Sequence, residues 1–209
     1  MKNQLEVEYI GTLSLDYFKE LKSKMNRIGS FKKKKDRITF MYFKDKVPKN
    51  LSEIKDEDID LRLRVTNRNP EIIIKKGLFT GSHSRKEISI EFKKNEIQKY
   101  IDFLSAMNWR LGVIYAVQTF VYEYKGVEIS LVDIKDYGYN FEAEILTNKE
   151  EELNARKKIN IILKELNLNP FTEKELDIQC NAINNREELR FNFSKDNIED
   201  FKKRFNDFF

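Results

Sequence analysis

Residues 5–9 read LEVEY, and residues 141–145 read FEAEI. In both stretches apolar and acidic side chains alternate, which is the pattern of a β-strand with one apolar face and one acidic face. The two strands together carry four glutamates: Glu6, Glu8, Glu142 and Glu144. Like charges next to each other on one strand face repel and lower stability. The pattern indicates that a bound cation neutralises them, and carboxylate oxygens are the ligands that Mg²⁺ and Mn²⁺ prefer.

Residues 60–66, DLRLRVT, show the same alternation with the opposite charge. Arg62 and Arg64 lie on one face of this predicted strand, and guanidinium groups bind phosphate oxygens through paired hydrogen bonds. A polyphosphate with a bound divalent metal would neutralise both the acidic strands and this basic strand. We therefore expect the charged faces to point into a shared cavity and the apolar faces to be covered by helices.

The remaining sequence predicts an α+β fold. Eight strands are expected, at about 4–10, 37–43, 60–66, 71–76, 85–92, 115–124, 127–133 and 141–146. Helices are expected at about 14–28, 95–107, 149–166, 173–184 and 195–208. The strands are spaced too closely for helical crossovers, so we predict a closed antiparallel eight-stranded β-barrel with helices packed outside. We expect one domain over 1–209, with the barrel core at about 4–146 and a helical part at about 149–209.

Composition narrows the functional classes. The 209 residues include 39 basic and 35 acidic ones, for a net charge of +4, and this balance does not predict a nucleic-acid-binding protein. Cys180 is the only cysteine and His83 the only histidine, which excludes an internal disulfide and histidine-rich metal sites. We expect a cytoplasmic protein without a membrane span. The phenylalanines after position 190 either pack the last helix on the body or form a homodimer contact.

The charged segments resemble the CYTH family, or triphosphate tunnel metalloenzymes, which includes class IV adenylate cyclases, thiamine triphosphatases and inorganic triphosphatases. The resemblance covers most of residues 4–146 and rests on five segments in the family's order: Glu6-Val7-Glu8, Arg62-Leu63-Arg64, Lys75 before a loop, Ser84–Ser89 and Gly138–Glu144. Lys76 competes with Lys75 for the family's lysine position. Asp133 is matched to the family's aspartate before the last turn.

The resemblance implies roles for individual residues. The metal, Mg²⁺ or Mn²⁺, would be held by Glu6, Glu8, Glu142 and Glu144. The phosphates would be bound by Arg62, Arg64, Lys75 and Arg85. Arg37, Arg110 or a lysine from 32–35 could compensate for cations that this sequence lacks relative to the family, and Arg37 is the further candidate for substrate binding. The candidate catalytic carboxylates are Glu6, Glu8 and Glu87, although Arg85 and Glu87 could equally be an ordinary cross-strand ion pair.

Two departures from the family pattern bear on activity. The family's lysine after the opening glutamates is Ile10 here, and its later Lys-x-Arg strand is Val117-Gln118-Thr119. The metal-binding side of the pattern is therefore better preserved than the cationic side. The sequence predicts hydrolysis of a triphosphate-containing small molecule, with class IV-type adenylate cyclisation as one alternative. A non-catalytic module that binds polyphosphate or a phosphorylated ligand is the other alternative.

Overall fold

The structure, a computed structural model, describes residues 5–50, 53, 59–76 and 86–209. Its strands are β1 (Leu5–Leu13), β2 (Ser30–Phe43), β3 (Asp60–Thr66), β4 (Asn69–Lys76), β5 (Lys86–Glu91), β6 (Leu111–Tyr124), β7 (Val127–Ile134), β8 (Gly138–Thr147) and β9 (Arg190–Asn192). Its helices are α1 (Leu15–Ile28), α2 (Ile97–Ala106), α3 (Glu152–Glu165), α4 (Glu173–Asn184) and α5 (Ile198–Arg204). The α+β class that the sequence predicts is confirmed.

The strands pair in the order β1-β8-β7-β6-β2-β3-β4-β5, and the short strand β9 pairs with β6. The closed barrel predicted above is not found, because β1 and β5 stand at the two ends of this order and no pairing joins them in the described part of the chain. The correction has a physical reason: the alternation within a strand sets its two faces, whereas closure depends on pairing between the first and last strands.

The described residues form two compact units. The first contains residues 5–35, Lys86 and 117–176, and the second contains residues 36–50, 53, 59–76, 87–116 and 177–209. Strands β2 and β6 contribute residues to both units.

In the first unit the apolar faces of β1, β6, β7 and β8 form a core with α1 and α3. Val7, Leu21 and Phe141 are among its fully buried side chains. Helix α1 begins where the sequence predicts, because the Ser14 hydroxyl accepts a hydrogen bond from the Tyr17 backbone N–H at 3.2 Å. The predicted strands at 115–124 and 127–133 leave two residues between them, and these residues, Lys125 and Gly126, form a hairpin turn with positive φ.

The second unit has its own core, on the apolar faces of β2 and β3 against α2 and α5. Phe40, Leu63 and Phe205 are buried there. The aromatic residues near the C-terminus therefore pack within this unit, around Phe40: Phe191, Phe193, Phe201 and Phe209. The homodimer contact that was the alternative role of this cluster stays a prediction.

Several boundaries differ from the sequence prediction. The basic run at 32–35 belongs to β2, which begins at Ser30, whereas the prediction placed the strand start at Arg37. The turn before β4 lies at Asn67 and Arg68, both with positive φ, so β4 begins at Asn69 rather than at residue 71 as predicted. Strand β9 was not predicted, because three residues are too few to show an alternation.

None of the helices in the described ranges combines the length and the apolar character that a membrane crossing requires.

A glycine in β6 provides a direct test of the second unit's packing. A Cβ added at Gly112 would lie 1.9 Å from the Met41 carbonyl oxygen and 2.7 Å from the Phe191 ring. We expect Gly112→Ala to lower the free energy of unfolding by about 2 kcal/mol or more, because a backbone carbonyl cannot move aside. Urea unfolding followed by circular dichroism measures the change.

The matched control is Gly138→Ala, because an added Cβ there meets nothing within 4 Å. This control should stay within about 0.5 kcal/mol of wild type. Equal stabilities for the two variants would contradict the described packing around Gly112.

Candidate functional site

Three strands of the first unit bring glutamates together on the face opposite the helices. In the antiparallel register Glu8 of β1 lies opposite Glu144 of β8, and Glu144 lies opposite Glu128 of β7. Directly opposed residues of antiparallel strands point to the same face, so the three carboxylates share one row across the sheet. Glu6 is two residues from Glu8 and joins the same face.

Carboxylate oxygens of Glu6, Glu8 and Glu144, here called the acid group, lie within 4.8 Å of one another. All three side chains are half-buried. Burial, a hydrogen bond that protonated Glu144 donates to the Glu6 carboxylate, and the charges of Glu6, Glu128 and Glu8 raise the pKa of Glu144 to about 9. The acid group therefore holds a proton at neutral pH that a metal ion would displace.

The acid group fits a hard divalent cation. Its donors are all carboxylate oxygens, which suit Mg²⁺ and Mn²⁺, and their mutual distances are close to those of oxygens around one ion. Glu142, the fourth predicted metal ligand, lies two residues before Glu144 on the same face but is not one of these three. It faces Ile10 on β1 and Ser130 on β7.

The second unit gathers cations on one face of β2, β3 and β4. This cation cluster consists of Arg37, Arg62, Arg64 and Lys75. Arg37 lies opposite Thr66, two residues after Arg64, and Lys75 lies opposite Asp60, two residues before Arg62. Strand periodicity therefore places all four cations on the same face, and the alternation in residues 60–66 predicts this for Arg62 and Arg64.

Arg62, Lys75 and Arg64 each have an acidic partner. The Asp60 carboxylate accepts hydrogen bonds from Arg62 Nε at 2.7 Å and Nη2 at 2.6 Å. Lys75 Nζ lies 2.9 Å from Glu87 Oε2. Arg64 Nη1 lies 3.7 Å from Glu71 Oε1, which is a looser contact.

Two buried polar atoms, one in the cluster and one on the neighbouring strand, have no hydrogen-bond partner among the described residues. These are Arg64 Nε and Thr39 Oγ1, and their residues lie directly opposite each other on β3 and β2. Burial, together with the charges of Arg37 and Arg62, lowers the pKa of Arg64. An anion at this position would satisfy the unpaired donor and offset the repulsion between the guanidinium groups.

Glu87 behaves as a counterion in this arrangement. Burial alone would raise its pKa, but the ion pair with Lys75 and the charges of Arg64 and Arg62 hold the pKa of Glu87 below its ordinary value. It is therefore ionised at neutral pH. Arg85, the remaining predicted phosphate ligand, lies outside the described residues.

Three features of the site were not predicted from the sequence: Glu128, Asp60, and the two buried atoms Arg64 Nε and Thr39 Oγ1. The Lys125-Gly126 turn fixes the register that places Glu128 opposite Glu123, so the hairpin signal could have added Glu128 to the acidic face. Asp60 shares the two-residue period of Arg62, so the same alternation could have found it. Asp133, matched to a family aspartate, lies instead on the face that α1 covers, where Lys22 is near it.

The acid group predicts a pH-dependent stability. The pKa of Glu144 is raised from 4.5 to about 9 in the folded state, so its stabilising contribution is complete below about pH 4.5 and is lost as the pH rises towards 9. Glu144→Gln removes this loss. In metal-free buffer we expect the variant to be more stable than wild type by roughly 3 kcal/mol at pH 9 and nearly equal at pH 4.5.

Urea unfolding at a series of pH values, with a chelator present, measures the difference. Glu150→Gln removes an exposed glutamate outside the acid group and should follow the wild-type profile at every pH. Parallel profiles for Glu144→Gln and wild type would show that Glu144 is not held protonated by its neighbours.

Comparison with known proteins extends these observations. No family model matches the chain, and no curated protein sequence matches it. Solved structures do match. The PH1819 protein of Pyrococcus horikoshii has a TM-score of 0.65 at 24% identity, over 83% of this chain and 98% of that one.

Two further matches carry functional descriptions of their own. A candidate adenylyl cyclase of Hippeastrum, described as having a dominant triphosphatase activity, has a TM-score of 0.56 at 15% identity, over 80% of this chain and 89% of that one. A candidate adenylate cyclase of Vibrio parahaemolyticus has a TM-score of 0.54 at 13% identity, over 83% and 92% of the two chains. The chain therefore has the fold of the adenylate cyclase-like CYTH proteins, which is the triphosphate tunnel fold that its sequence motifs resemble.

Proposed function

We propose that the chain hydrolyses a triphosphate, either inorganic or carried by a nucleoside or thiamine, with Mg²⁺ or Mn²⁺ as cofactor. The observation that carries the proposal is the acid group, in which three glutamates lie within 4.8 Å of one another on one sheet face. Such an arrangement costs stability unless a cation neutralises it. The triphosphatase activity described for the Hippeastrum protein of the same fold supports this choice of reaction.

The cation cluster supports a phosphate ligand. Arg64 is buried and its Nε is without a hydrogen-bond partner among the described residues, so a phosphate oxygen would gain a charge-assisted hydrogen bond there. Glu87 and Glu71 are exposed enough to turn into water and release Lys75 and Arg64 to the ligand, since their side chains are 39% and 20% exposed. The two groups match the two parts of a metal-bound triphosphate, since carboxylates suit the cation and the arginine and lysine side chains suit the phosphates.

In hydrolysis a water oxygen forms a bond to the terminal phosphorus, and the bond from that phosphorus to the bridging oxygen breaks. When bound, the metal would neutralise phosphate oxygens and make a coordinated water more acidic. Glu6, Glu8 and Glu144 would hold the metal in their ionised forms. Arg64 and Lys75 stabilise the negative charge on the phosphoryl oxygens.

Adenylate cyclisation is the second candidate reaction, favoured by the descriptions of the Hippeastrum and Vibrio proteins as candidate cyclases. In that reaction the ribose 3′-hydroxyl is the nucleophile and pyrophosphate leaves. Cyclic AMP and pyrophosphate from ATP would identify it, whereas ADP and orthophosphate identify hydrolysis.

A binding module without turnover is the third candidate. Ile10 lies on the acidic face opposite Glu142, where the related family carries a lysine. Val117 and Thr119 share that face, and neither is charged. An uncharged side chain at these positions removes charge stabilisation from the reaction but still permits ligand binding.

Phosphate release from tripolyphosphate and from ATP, with Mg²⁺ or Mn²⁺, tests the proposal. We expect release by the wild-type protein and a rate about 100-fold lower for Glu8→Gln, because the substitution removes a metal-binding charge and keeps the side-chain shape. Glu150→Gln is the control and should retain the wild-type rate.

No release with any combination of substrate and metal would reject hydrolysis. Calorimetric binding of tripolyphosphate without release would then select the binding module. Equal rates for wild type and Glu8→Gln would separate any observed activity from the acid group.

A further inference from the structure

One acid of the second unit is held differently from the others. Asp60 binds Arg62 through both of its carboxylate oxygens, at 2.7 Å and 2.6 Å, and only 4% of its side chain is exposed. Glu71 lies 3.7 Å from Arg64 and Glu87 lies 2.9 Å from Lys75, and both acids are more exposed, at 20% and 39% of the side chain. Those two acids can exchange with a ligand by turning into water, whereas Asp60 has to break two buried, charge-assisted hydrogen bonds.

The edge of Arg62 that Asp60 occupies is the edge that a phosphate would take. A guanidinium group presents Nε and one terminal nitrogen as a fork, and carboxylate and phosphate oxygens fit this fork with the same geometry. The other terminal nitrogen, Nη1, points towards the Tyr115 hydroxyl at 3.5 Å. Asp60 therefore stands where one phosphate group of a ligand would otherwise bind Arg62.

We propose that Asp60 is an internal competitor for phosphate at Arg62 and thereby sets the affinity of the cation cluster for polyphosphate. This inference rests on the proposed function, since it assigns a ligand of that class to the cluster. Removing the Asp60 charge leaves Arg62 buried without its counterion. An anion that binds the vacated edge then regains the lost interaction, so anion affinity rises.

The test is calorimetric titration with metal-free tripolyphosphate at fixed ionic strength. We expect Asp60→Asn to bind about tenfold more tightly than wild type. We expect the gain to vanish when Arg62→Gln is added, because Asp60 acts through the Arg62 fork. Asp102→Asn removes an acid of the same unit from the exposed surface of α2 and should leave the affinity unchanged.

A double-mutant comparison excludes a merely structural role. If Asp60 only supported the fold, Asp60→Asn would weaken binding, and this result would overturn the inference. A gain that persists in the Arg62→Gln background would also overturn it, because the effect would then be a general change in charge.

Should Asp60→Asn be recovered unfolded, refolding is compared in phosphate and in chloride at equal ionic strength. Greater recovery in phosphate supports the inference, because the anion replaces the missing counterion, and equal recovery contradicts it. The two proposals fail separately. Tight binding by Asp60→Asn with no turnover by wild type rejects hydrolysis alone, whereas turnover by wild type with no gain in Asp60→Asn rejects the role of Asp60 alone.

Discussion

The register between β1, β8 and β7 is the constraint on which the candidate site depends. It places Glu8, Glu144 and Glu128 directly opposite one another, and Glu6 joins them on the same face. Like charges at such spacing repel, and here the repulsion is relieved in part by a proton on Glu144. A slip of one residue in any of these strands would move its glutamate to the face that packs against the helices. The packing of the apolar face against the helices therefore determines which glutamates lie on the acidic face.

Repulsion between like charges is relieved differently in the cation cluster. Its positive charges are balanced by carboxylates on neighbouring strands, with Asp60 on Arg62, Glu71 on Arg64 and Glu87 on Lys75. In the acid group a proton on Glu144 relieves part of the repulsion between the carboxylates. A divalent cation suits the acid group, because it brings positive charge to the carboxylates. A chain of phosphates suits the cation cluster, because it brings negative charge to the arginine and lysine side chains. This complementarity connects the fold to triphosphate chemistry.

The alternation of charge in residues 5–9, 60–66 and 141–145 was enough to predict the strands and their charged faces. It also predicted the apolar strand faces that are buried, such as those of Val7, Leu63 and Phe141, because both faces follow a period of two along one strand. Three features could not be predicted in the same way. They are the pairing order of the strands, the two hydrogen bonds between Asp60 and Arg62, and the position of Glu128 opposite Glu144. They depend on which strands pair and in what register, and a pattern within one strand does not contain that information.

The most direct test is a crystal structure of the protein with tripolyphosphate and Mn²⁺, with anomalous scattering used to locate the metal. We expect a manganese peak bound by oxygens of Glu6, Glu8 and Glu144, and phosphate oxygens in contact with Arg64 Nε and Lys75 Nζ. A metal peak away from these glutamates, or a tripolyphosphate that contacts neither Arg64 nor Lys75, would contradict it.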